Sequence, residues 1–344
     1  MNRYIIPNRL NWIDWAKTFA IFFVVFGHIP MEKGNFMQNY IVVFHMPLFF
    51  FISGYLTKKE YLDNITLKKY WHTLIIPYFC YNIVFYPYWV IRHMIDYPNA
   101  GLYDYIKPII GTFMLQHKTI YYESLNGVTW FVSSLLIMKL LLSLCNRYNH
   151  GKEILTFIVI FDTFFYIFNE CHRYIIDLPF VGFTRCLPFF IIGHICKQKN
   201  IIKDKPDNTN WIKCISGIFL SLFTYNLLRG LVGVYEYGIC FWIICISAIW
   251  GVLNFCKLLN NCHSKIIENI SIGTIVIMGL HWIIIGVTNY SLSKLLHIYG
   301  GITYPWYVTI CLTLIYIAIL YPIIVLFKNK IPFMLGKWKP TQSS

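Results

Sequence analysis

Apolar residues in this chain gather into long blocks separated by short polar stretches. The blocks stand near residues 12–30, 37–56, 71–92, 129–146, 153–169, 180–196, 211–228, 236–256, 271–289 and 304–326. A helix needs about 20 predominantly apolar residues to cross a bilayer, and each block comes close to that length. They predict an all-α polytopic membrane protein, a bundle of about ten transmembrane helices. No internal repeat or low-complexity tract interrupts the pattern, and no soluble domain of appreciable size is expected at either end. Any chemistry then falls to the bundle itself.

Composition agrees: 57% of residues are hydrophobic and 13% charged, against about 25% charged in a soluble domain. The 19% aromatic share suits interfacial belts of Trp and Tyr. The net charge of +14 is scattered over short loops, so it reads as positive-inside topology and not as a nucleic-acid surface. With the first span leaving the cytoplasm, the inner loops hold Lys58, Lys59, Lys68, Lys69, Arg147, Lys152, Lys197, Lys199, Lys203, Lys205, Lys257 and Lys265. The termini add Arg3, Arg9, Lys328, Lys330, Lys337 and Lys339, whereas the outer loops are sparsely charged. Both termini are therefore expected in the cytoplasm. The longest connection, about 93–128, falls outside and includes Tyr121-Tyr-Glu123, enough for a re-entrant or interfacial segment. No removable signal peptide is read at the start. The 11 cysteines never form CxxC, so no metal site or disulfide framework is expected.

Ionisable residues inside the blocks are costly and mark function by default. His28 follows Lys17 by eleven positions, which places the two on one helix face, about 16 Å apart along the axis. That offset suits a site that grips one end of an extended ligand and does chemistry at the other. Lys17 also stands three residues after Asp14, on the same face, where an ion pair is the simpler role. Lys139 and Asp162 both fall mid-span and are expected to pair. His45 lies at a depth broadly comparable to His28, His281 near the middle of its span, and Arg185 in the outer third of its own.

Four stretches carry more than hydrophobicity: Ile13 to His28, Phe44-His-Met-Pro-Leu-Phe-Phe-Phe-Ile-Ser-Gly-Tyr55, Lys68-Lys-Tyr-Trp-His-Thr-Leu-Ile-Ile-Pro-Tyr-Phe79, and Gly273-Thr-Ile-Val-Ile-Met-Gly-Leu-His281. Weaker echoes are Trp130-Phe131 and Leu187-Pro-Phe-Phe-Ile-Ile-Gly193. In this order they resemble acyltransferase family 3, integral membrane acyltransferases, and within it the sugar O-acetyltransferases related to fucose 4-O-acetylases. The resemblance spans residues 9–326, leaving 327–344 as a short basic cytoplasmic tail. It implies a ten-helix bundle that passes an acetyl group from cytoplasmic acetyl-CoA to a surface or secreted polysaccharide, or to its lipid-linked precursor. The family's first-helix signature, Arg or Lys, ten residues, then His, is filled by Lys17 and His28. Two features depart from the family. The basic pair with two intervening residues is imperfect: Lys69 and His72 have the spacing, but one register later stand Tyr70 and Thr73. Trp130 is followed by Phe-Val-Ser-Ser, so no catalytic Glu is carried over.

These residues then take expected roles. His28 is the general base for a sugar hydroxyl, with an acetyl-His28 intermediate as a variant. His45 is a second catalytic candidate that orients His28 or the acceptor. Lys17, Lys68, Lys69 and His72 are expected to meet the phosphates of acetyl-CoA. Arg185 and His281 are expected on the acceptor, Arg185 by a bidentate contact to sugar or phosphate. Other partners are membrane lipids, and the expected location is a bacterial inner or plasma membrane. Two alternatives stand. One is a transporter or flippase of polysaccharide intermediates, which would bind no CoA. The other is a same-family acyltransferase acting on a lipid, peptidoglycan or small-molecule acceptor.

Overall fold

The computed structural model describes residues 9–115, 125–171, 181–203, 206–229, 238–298 and 301–337. Thirteen α-helices follow one another: α1 (Asn11–His28), α2 (Phe36–Leu56), α3 (Asn64–Tyr70), α4 (Ile76–Asp96), α5 (Leu102–Phe113), α6 (Trp130–Cys145), α7 (Gly151–Cys171), α8 (Val181–Gln198), α9 (Asn210–Arg229), α10 (Gly238–Leu258), α11 (Lys265–Ile272), α12 (Thr274–Leu295) and α13 (Trp306–Lys330). The described residues contain no strand, only a bridge between Met31 and Tyr304. Within the described residues each apolar block is helical. Among the described residues, seven helical runs are long and apolar enough to cross a membrane: α2, the continuous run Asn64–Asp96, α6, α9, α10, α12 and α13. The chain is a multi-pass membrane protein. The first helix is not among the seven, because Asn11, Asp14, Lys17 and His28 dilute its apolar run.

Several joints depart from the pattern of simple blocks. A π-helical turn, Trp71–Ile75, joins α3 to α4 just ahead of Pro77. Proline has no N–H to give the carbonyl four residues back, and such turns absorb the defect. Pro47 likewise frees the Val43 carbonyl within α2, and the Cys245 thiol of α10 lies 3.4 Å from that oxygen. Helices α2 and α8 cross at Gly54 and Gly193. A Cβ on Gly54 would come within 1.9 Å of the Phe190 carbonyl, so only glycine permits this approach. The ninth apolar block is broken at Gly273 into α11 and α12, with the Ile324 side chain filling the space where a Cβ would stand.

Helix α5 runs back along α4. Tyr105 lies 5.3 Å from the His93 ring, and further down the Tyr78 hydroxyl donates to the Thr112 carbonyl at 2.8 Å. The part of the long connection holding Tyr121–Glu123 lies outside the described residues. The stretch expected as a tail from residue 327 begins instead as helix: α13 continues to Lys330, followed by a 3-10 turn, Pro332–Leu335. Met334 and Leu335 are buried, and the Tyr81 hydroxyl donates to the Met334 carbonyl at 2.9 Å. Gly336, at φ +62°, lets the backbone lie against the Thr73 carbonyl.

Candidate active site

His28 ends α1, and α1 packs against α2, α10, α11, α12 and α13, so the side chain stands among helices. Its Nδ1 lies 2.7 Å from the Val24 carbonyl oxygen one turn back. A carbonyl only accepts, so Nδ1 carries the proton and the neutral ring keeps its lone pair on Nε2. His281 on α12 repeats the arrangement, with Nδ1 at 2.9 Å from the Ile277 and Met278 carbonyls. Its Nε2 is therefore an acceptor, and it lies 3.3 Å from His28 Nδ1. The His28 N–H is shared between Val24 and His281. His45 on α2 donates its Nδ1–H to the Ile41 and Val42 carbonyls, both at 3.1 Å.

The three rings converge. His28 lies 5.0 Å from His281 and 6.5 Å, edge-on, from His45, with Trp282 at 5.5 Å completing one wall. His45 and His281 are buried, while His28 is half-buried. Gln38 fixes the end of α1 by donating to the Gly27 and Ile29 carbonyls at 3.1 and 3.2 Å. The arrangement is a half-buried base held in one tautomer by a buried neighbour. His281, expected on the acceptor, has both nitrogens engaged within the bundle, Nδ1 on backbone carbonyls and Nε2 on His28.

At the other end of α1 the expected Asp14–Lys17 pair is replaced. Asp14 takes a two-pronged contact from Arg9, at 2.6 and 2.9 Å, and a hydrogen bond from the Ser271 hydroxyl at 2.6 Å. Lys17 donates to the Ser271 carbonyl. That carbonyl sits in the last turn of α11, where helix carbonyls lack partners and a cation is favoured. The break at Gly273 therefore creates the acceptor that draws Lys17 away from Asp14. Arg9 also reaches Glu268 at 3.2 Å, and Lys328 reaches Asn269 at 2.8 Å. Arg9, Asp14, His263, Lys265 and Glu268 line a cleft opening at this end.

The other basic residues form a separate cluster. Lys69 pairs with Glu60, Lys68 is exposed, and His72 is half-buried in the π turn. Lys139 does not pair with Asp162: its ammonium lies 5.8 Å from the Tyr70 ring centre, near Lys69 and Glu60. A lysine's flexible stem lets its charge slide to the polar end of a helix, which a short aspartate cannot do. Asp162 stays buried in α7, within electrostatic reach of Cys186. Arg185 stacks over Phe241 at 4.7 Å and interacts electrostatically with His45.

Sequence reading placed the three histidines in three spans and set His45 near His28 but not His281, and it left out Ser271, Gln38 and Trp282 altogether. Arg9 entered only as a topology charge. Ser271 and Trp282 carry no local signal, because their partners Asp14 and His28 stand far away along the chain.

The described helices thus form a bundle with a histidine centre in its interior and charged clusters on its polar rim. The family model for the acyltransferase domain Acyl_transf_3 matches residues 10–328, nearly the whole chain. The chain belongs to acyltransferase family 3, and is thus a membrane acyltransferase. No curated protein and no solved structure matches it.

Proposed function

We propose that the protein moves an acetyl group from acetyl-CoA to a hydroxyl of a surface or secreted polysaccharide or its lipid-linked precursor, with His28 as general base, in a bacterial inner membrane. The observation that carries this reading is the His28 tautomer, with Nδ1–H held by Val24 and His281. His28 Nε2 takes the proton of the acceptor hydroxyl as its oxygen attacks the thioester carbonyl. The bond from carbonyl carbon to sulfur then breaks, and the CoA thiolate recovers the proton from the imidazolium. Throughout, Nδ1–H stays on Val24 and His281, and both contacts strengthen while the ring is positive. His281 is a positioning residue in this scheme, and His45 walls the same space.

The donor's phosphates are assigned to the end of the bundle where Arg9 and Lys17 stand, about 16 Å along α1 from His28. Lys17 has three donors and spends one on Ser271. Lys68, Lys69 and His72 form a second basic surface for the same anion. Family membership supports the acyl chemistry; the sugar acceptor rests on the resemblance of the four motifs to sugar O-acetyltransferases.

The test is transfer of labelled acetyl from acetyl-CoA by purified His28→Ala protein, with CoA binding measured alongside. Loss of a general base costs about 10²–10⁴ in rate, and CoA binding is retained. Near-normal turnover in a well-folded His28→Ala protein would remove the assignment.

A further inference from the structure

Among α7, α8 and α10 the bundle holds polar atoms that the acyl-transfer step does not use. Asp162 of α7 is 7% exposed, and its Oδ2 has no hydrogen-bond partner. Trp242 of α10 lies flat on Phe189 of α8, with 4.6 Å between ring centres and 12° between planes. Its buried Nε1–H also lacks an acceptor. Arg185, one turn before Phe189, stacks on Phe241, the residue before Trp242, and acts on both His45 and Cys186. Asp162 acts on Cys186 as well. Helix α7 packs on both α8 and α10, Trp242 of α10 lies on Phe189 of α8, and Tyr166, one turn after Asp162, meets Phe241, so these side chains gather around the α8 segment 185–189.

A buried acceptor and a buried donor left unmade are each expensive, and native interiors seldom keep them without a use. Here they stand beside flat aromatic faces and a guanidinium. Sugar hydroxyls exchange hydrogen bonds with a carboxyl group and accept from indole and guanidinium N–H groups, while the C–H face of the ring lies on an aromatic surface. An acyl chain or lipid tail would leave both polar atoms unsatisfied. We propose that Asp162, Trp242 and Arg185 form the subsite that holds the saccharide ring of the acceptor beside His28 and His45. This rests on the saccharide reading above.

The experiment measures acetyl transfer by the purified full-length protein from acetyl-CoA to a panel of methyl glycosides: glucoside, galactoside and mannoside. Asp162→Asn and Trp242→Phe keep shape while removing the carboxyl group or the N–H. The apparent KM for the glycoside should rise about ten- to a hundredfold in the first and about three- to tenfold in the second. The KM for acetyl-CoA and the thermal midpoint should stay as in wild type. An unchanged glycoside KM in both variants overturns the subsite while wild-type turnover keeps the saccharide reading. A lowered thermal midpoint and kcat with unchanged KM assigns a structural role and overturns it too. A wild-type protein that acetylates extracted lipid but none of the glycosides overturns the saccharide reading itself, and the subsite with it.

Discussion

His281 and Asp14 show how single side chains set the chemistry of a neighbour. Replacing His281 by Gln keeps an acceptor near His28 Nδ1, whereas His281→Leu removes it and leaves Val24 to hold the ring alone. The expected result is a fall in kcat of about tenfold or more for His281→Leu, with partial rescue by His281→Gln and little change in either KM. Steady-state acetyl transfer checks this, and equal activity in the two variants would contradict a positioning role. At the other end of α1, Asp14 is bound to Arg9 and not to Lys17. Thermal unfolding of Arg9→Met, Asp14→Asn and their double variant should show a coupling of about 1–3 kcal/mol. The cycle of Asp14→Asn with Lys17→Met should show much less. If Lys17 meets the phosphates of acetyl-CoA, Lys17→Ala raises the KM for acetyl-CoA and leaves kcat little changed, as loss of uniform binding does.

At the scale of elements, the crossing of α2 and α8 depends on two glycines. Gly54 and Gly193 let the two backbones touch, and the same crossing brings His45 on α2 and Arg185 on α8 to one region. Gly54→Val places branched carbon where the Phe190 carbonyl stands, so the helices must separate. The expected cost exceeds the about 1–3 kcal/mol usual for overpacking, because backbone rather than a side-chain end must give way. Thermal stability in detergent should fall steeply, and acetyl transfer with it. By contrast, the break at Gly273 and the π turn before Pro77 are joints that position groups: one exposes the Ser271 carbonyl to Lys17, the other turns His72.

Across the whole molecule, basic residues from several helices gather at one end. Lys257 of α10 lies 5.9 Å from the Trp12 ring, Lys197 of α8 lies 5.0 Å from the Tyr55 ring, and Trp12 meets Tyr55 edge-on at 5.4 Å. Arg9 and Lys328 meet Glu268 at the same end of α1. If this end faces the cytoplasm, as the positive-inside rule has it, an impermeant thiol reagent should label Tyr97→Cys and not Lys203→Cys in intact cells. The measurement uses a background depleted of the native cysteines. Labelling at Lys203→Cys would reverse the assigned orientation.

The sequence by itself determined the helical, membrane-spanning character and the family, because hydropathy is summed over a contiguous stretch and the motifs are local strings. It also placed Lys17 and His28 on one face of α1, since helical geometry converts spacing into direction. Only the tertiary structure decided partners. His28 meets His281 across 253 positions of chain, and Asp14 meets Ser271 across 257. Lys17 is drawn to a carbonyl that exists as a free acceptor only because α11 ends there. Lys139 and Asp162 share a charge complementarity visible in the sequence, yet side-chain length and direction send them to different neighbours. Hydrophobic pattern sets where a helix forms, whereas the pairing of buried polar groups depends on which backbone and side-chain atoms packing leaves unsatisfied, and that is known only once the helices are in place.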